Sequence, residues 1–111
     1  MDANYKVIAS LVNEIAPPTD GTLSRTILQS DHLKAVLFGF AAGQELSEHT
    51  AATPAIMHFL TGEAEVTLGA DTLAAAPGAW IHMPPNLPHS IRAKTPVTML
   101  LLLLKQAFKG D

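Results

Sequence analysis

Apolar residues come in short runs along this chain, and each run is closed by residues that favour turns. The breaks fall at Pro17-Pro18-Thr19-Asp20-Gly21, Ser30-Asp31, Gly43, Pro54, Thr61-Gly62, Gly69-Ala70-Asp71, Pro77-Gly78, Pro84-Pro85-Asn86 and Lys94-Thr95-Pro96. Between them lie stretches of roughly four to ten residues, a spacing that argues for an all-β sandwich or barrel. Strands are predicted over 23–29, 33–41, 55–60, 64–68, 72–75, 79–83, 89–93 and 97–104. That is enough to close a jelly-roll barrel.

Alternation is cleanest over 63–68, where Ala64, Val66 and Leu68 interleave with Glu63, Glu65 and Thr67, so one face is buried and the other wet. The runs 35–38 and 99–104 are apolar on both faces and must be covered on both. The barrel interior covers one face. A second subunit is the simplest cover for the other, so a homodimer is expected. Over 1–16, Val7, Ile8, Leu11, Val12 and Ile15 recur at the spacing of an amphipathic helix, yet 5–12 is also rich enough in β-branched residues for an edge strand. Pro17-Pro18 ends the segment in either case. The chain thus divides into an arm (1–20), one barrel domain (21–106) and a tail (107–111), with the polar character of the C-terminus beginning at Lys105.

Composition narrows the partners. A content of 48% hydrophobic residues suffices for one core in 111 residues. The net charge of -3 offers no basic footprint, so neither nucleic acid nor an anionic membrane is an expected partner. The longest apolar run, 99–104, is far shorter than the roughly 20 residues a membrane-spanning helix needs. With no secretory signal at the N-terminus, a cytoplasmic location is expected. The lack of cysteine excludes disulfides, thiolate metal sites and a cysteine nucleophile.

The chemistry gathers around two histidines. Gly43, His49 and Gly62 match the spacing of G-x5-H-x-H-x3-E-x6-G, and Gly78, Pro84 and His89 that of G-x5-P-x-G-x2-H-x3-N. These are the two motifs of the cupin superfamily, and from Leu37 to about Leu104 the chain resembles a small single-domain cupin of the RmlC-like type. Four motif positions depart from the pattern: Ala51 and Ala55 stand where the family has a histidine and a glutamate, Asn86 where it has glycine, and Ala93 where it has asparagine. The resemblance implies a cupin-type double-stranded β-helix whose motif histidines project into the barrel toward a divalent metal (Fe, Mn, Ni or Zn). Only His49 and His89 inherit that role.

Strand parity sorts the remaining candidates. If position 55 faces inward, so do Met57 and Phe59, while His58 points away. His82 shares a face with Trp80, opposite Ile81 and Met83. Facing inward it would complete a three-imidazole site with His49 and His89; facing outward it is an ordinary strand histidine. His32, beside Asp31, reads as a surface loop residue. Glu45 and Glu48 lie in a polar loop, and Glu48 would point away from its neighbour His49. The inward candidates Ala51, Ala55, Met57, Phe59, Ile91 and Ala93 make an apolar wall around two polar points, the usual form of a small-molecule site.

A serine hydrolase is not expected, because Ser90 faces away from its neighbour His89 and no G-x-S-x-G elbow exists. No P-loop or dinucleotide fingerprint is present. Three readings stand: a barrel binding a small organic ligand with a weak metal site; a metal-dependent dioxygenase or isomerase acting on a small apolar or aromatic substrate; and a structural module whose interior is filled by Met57, Phe59 and Trp80.

Overall fold

The computed structural model describes residues 4–105, and nine strands run through it. They are β1 (Thr22–Gln29), β2 (Leu33–Phe40), β3 (Glu45–His49), β4 (Ala55–Thr61), β5 (Ala64–Leu68), β6 (Asp71–Ala75), β7 (Trp80–Met83), β8 (His89–Ala93) and β9 (Val97–Leu104). Eight agree with the turn spacing to within one residue at either end. The ninth, β3, was expected to be loop, because its composition is polar. It is the edge strand of its sheet, paired only with β8, and an edge strand can expose Glu45, Ser47 and Glu48 while Leu46 packs against the core.

The strands form two antiparallel sheets, one in the order β1-β2-β9-β4-β7 and one in the order β3-β8-β5-β6. Their inner faces enclose one core, which makes the fold an all-β jelly-roll barrel. Phe40, Ala55, Met57, Phe59, Met83, Val97 and Met99 come from the larger sheet, and Ala64, Val66, Ala75, Ile91 and Ala93 from the smaller. Strand β9 sits centrally, with Met99 opposite both Phe38 and Phe59, and Leu101 opposite both Val36 and Met57. The parity of β4 follows, with Ala55, Met57 and Phe59 inward.

The N-terminal arm is neither the helix nor the edge strand its pattern allows. Among its described residues only a 3-10 turn, Leu11–Asn13, is regular, and the Ser10 side chain makes no capping bond to it. A short isolated helix is marginal in water. The arm's apolar side chains instead lie on the outer face of the five-stranded sheet, where Ile8 and Leu11 join Ile27, Leu28, Leu33, Ala35, Leu100 and Leu102 around a groove of about 350 Å³. Arg25 of β1 ties the arm down, donating to the Glu14 carbonyl oxygen at 2.9 Å and pairing with its carboxylate at 3.4 Å. The chain itself therefore supplies part of the cover for which a second subunit was expected. At the other end, the Lys105 ammonium donates to the Ser30 carbonyl at 2.7 Å, and the predicted tail (107–111) lies outside the described residues. Among the described residues no helix is long and apolar enough to cross a membrane.

Gly62, between β4 and β5, has φ 79°, and a Cβ there would overlap the carbonyl of Pro96. Gly62→Ala is expected to lower stability by about 3 kcal/mol, because it adds a backbone collision to the cost of a left-handed alanine. Urea denaturation followed by circular dichroism checks this.

Candidate functional site

His49 and His89 face each other across the β3–β8 ladder, with ring centroids 4.2 Å apart and planes tilted by 58°. The parity of β8 directs His89 inward with Ile91 and Ala93, and all three are buried. Strand β3 reaches the same face by a different route. Leu46 pairs with Ile91 and His49 with His89, so three residue steps on β3 match two on β8. The extra residue is a β-bulge at Ser47-Glu48, and it returns His49 to the inner face after Leu46. Without that slip, strict alternation would send His49 outward.

Backbone carbonyls fix both rings. Nδ1 of His49 lies 2.8 Å from the Ser47 oxygen, and Nδ1 of His89 lies 2.8 Å from the Leu87 oxygen. A carbonyl can only accept, so each Nδ1 carries the proton and donates it. In each neutral imidazole, Nε2 is then left with its lone pair free. This is the outer support that orients metal-binding histidines in general. His89 is only 5% exposed, whereas His49 is open to solvent, so the pair spans the step from core to mouth.

The turn preceding His89 holds the mouth in shape. Asn86 has φ 66° and its N–H donates to the Ala51 oxygen at 2.7 Å, binding the Pro84–Pro88 turn to the segment after β3. Asparagine tolerates left-handed backbone better than most residues, which explains how it stands at a motif glycine position.

The other sequence candidates distribute on both sides of the sheets. Ala51 is half-buried at the mouth. Ala55, Met57, Phe59, Ile91 and Ala93 are buried in the core, Ile91 and Ala93 on the same inward face of β8 as His89. His82 pairs with Ile56, and Trp80 with His58, on the opposite face of the larger sheet. Trp80 is 59% exposed there, so it does not fill the barrel, and His82 is exposed beside it rather than turned toward His49. Glu45 and Glu65 flank Arg92 on the outer face of the smaller sheet, and Glu48 projects from the bulge into solvent. His32 is an exposed loop residue.

The donor set is therefore two imidazoles. Among the described residues no group of three or more histidine, cysteine, aspartate or glutamate side chains is placed to hold an ion. The pair suits two positions of a divalent metal's shell in ligand type and tautomer, but it does not make a closed protein site. Sequence reasoning missed the Ser47 and Leu87 carbonyls, and no residue-type signal could have found them, since every residue carries a carbonyl.

Comparison with known proteins agrees with this architecture. The profile of the cupin domain family matches residues 36–104. A conserved protein of unknown function from Streptococcus pyogenes is 32% identical, with 94% of this chain and 91% of that chain covered and a TM-score of 0.83. A cupin superfamily protein from Desulfitobacterium hafniense is 28% identical, with 86% and 88% covered and a TM-score of 0.82. A salicylate 1,2-dioxygenase from Pseudaminobacter salicylatoxidans shares the fold at 16% identity and a TM-score of 0.71, with 75% of this chain and 26% of that chain covered. Among curated proteins, a search finds no match.

At mildly alkaline pH, a long-range proton–nitrogen NMR spectrum is expected to show His49 and His89 as Nδ1–H tautomers with unprotonated Nε2. The opposite tautomer in either ring would remove that nitrogen from the site.

Proposed function

The chain belongs to the cupin family, and from that premise we propose that it binds a small organic ligand at the barrel mouth, beside a divalent metal held loosely by His49 and His89. The single observation that carries this reading is the pair of free Nε2 lone pairs, set on one face by carbonyl-bound Nδ1 atoms. Ile91, two residues beyond His89 on the same inward face of β8, belongs to the buried apolar core, so the pair borders apolar side chains on its inner side. Half-buried Ala51 stands at the mouth in the motif position where the family has a histidine, and its side chain is smaller.

Binding is favoured over turnover by the donor count. Catalytic zinc sites keep three protein ligands and one open position, whereas a two-imidazole shell leaves most positions to water or ligand. The dioxygenase or isomerase alternative drew its third nitrogen from His82, which lies on the other face of the sheet.

Elemental analysis of untagged protein purified without chelators is expected to find substoichiometric iron, manganese, nickel or zinc, with none retained in His49→Ala or His89→Ala. Failure of the wild-type chain to take up any of these ions on reconstitution would remove the metal from this reading.

A homodimer is the second part of the proposal. Beyond the arm, Trp80 stays exposed on the outer face and Ile56, Leu100 and Leu102 are only half-buried, and the run 99–104 is apolar on that side as well. Light scattering at micromolar concentration is expected to give twice the 11.8 kDa chain mass, and Trp80→Glu is expected to return it to the monomer value. A monomeric wild-type mass would refute it.

A further inference from the structure

One row of inward side chains crosses the larger sheet at its mouth end. Gln29 pairs with Lys34, Lys34 with Leu103, Leu103 with Ala55, and Ala55 with Met83. Lys34 is the charged member of that row. Leu33 and Ala35 on either side of it line the outer groove, so alternation turns Lys34 to the face on which Leu103 packs against the core. The row lies at the end of the barrel that carries the histidines, because β3 ends at His49, β4 begins at Ala55, β7 ends at Met83 and β8 begins at His89.

Burial along β9 shows that this end is the open one. Val97 and Met99 are fully buried, whereas Leu101 and Leu103 on the same inward face are only half-buried, as are Leu46 and Lys34. Among the described residues the Lys34 ammonium makes no hydrogen bond and no ion pair, while that of its neighbour Lys105 is spent on the Ser30 carbonyl. No carboxylate shares the row: Ala55 stands at its motif position, Glu45 and Glu48 face elsewhere, and Asp31 is exposed in the turn before β2. The mouth thus combines half-buried apolar side chains with an uncompensated positive charge, and a carboxylate brought against that charge makes a charge-assisted hydrogen bond in surroundings that strengthen it.

We propose that Lys34 selects the ligand of this mouth, and that the ligand is an organic acid with one carboxylate and an apolar carbon body. The carboxylate accepts from the Lys34 ammonium, and the body lies along Leu46, Leu101 and Leu103. Two strand spacings, about 10 Å, separate Lys34 from Ala55, so the lysine holds a different end of the ligand from the one nearest the histidines. This rests on the reading of an organic ligand at the mouth and adds its chemical class, and it requires no metal.

The probes are hexanoate and benzoate, each compared with its neutral amide, on chelator-treated protein followed by methyl and amide NMR. Each acid is expected to bind about ten-fold tighter than its amide and to shift Leu46, Leu101 and Leu103. Lys34→Met, which keeps an apolar stem without the charge, is expected to bring the acids down to the affinity of the amides. Lys34→Arg is expected to keep the preference for the acids.

Acids that bind no tighter than their amides, or a preference that survives Lys34→Met, would overturn the role of Lys34 and leave an organic ligand at the mouth standing. Acids and amides that leave Leu46, Leu101 and Leu103 unshifted, or that shift only Ile8, Leu28 and Leu100 of the outer groove, would overturn the mouth ligand and the role of Lys34 with it.

Discussion

The position of β9 governs the rest of the molecule. A strand apolar on both faces cannot lie at an edge, and β9 lies between β2 and β4, with Met99 packed inward and Leu100 and Leu102 turned to the outer face. Its register with β4 settles which side chains of β4 reach the core, and the register of β4 with β7 passes that decision on. Met57 and Phe59 reach the core by this chain of pairings, while His58, Trp80 and His82 are sent to the other side. A slip of one residue would exchange the two sets.

The smaller sheet adds the one irregularity on which the chemistry depends. Regular alternation would place Leu46 and His49 on opposite faces, but the bulge at Ser47-Glu48 brings them to the same one. The bulge also lies next to the carbonyl that holds His49, and His89 is held in the same manner from two residues upstream. Both rings are oriented by main chain alone, so the site does not need a carboxylate partner to set its tautomers.

Much of this was legible in the residues. Turn formers located eight strands because proline, glycine and Asn86 end a strand for local reasons of backbone geometry. The inward set on β4 followed from period-two alternation once one position was anchored by the motif spacing. Strand β3 was misread as loop because an edge strand needs only one apolar residue, here Leu46, and that leaves no alternating pattern to read. The arm was misread because its apolar periodicity serves a sheet surface rather than a helix face, and which surface is available is decided far away in sequence, by β2 and β9.

What the chain determined by itself was local: where strands end, which faces are apolar, and which two histidines stand at motif positions while Ala51 and Ala55 give up theirs. The direction of His82, the bulge that turns His49 inward, and the carbonyls that set both tautomers were decided only by the tertiary structure. The reason is that a side chain's facing depends on the register with strands distant in sequence, and hydrogen bonds to main-chain oxygens carry no residue signature.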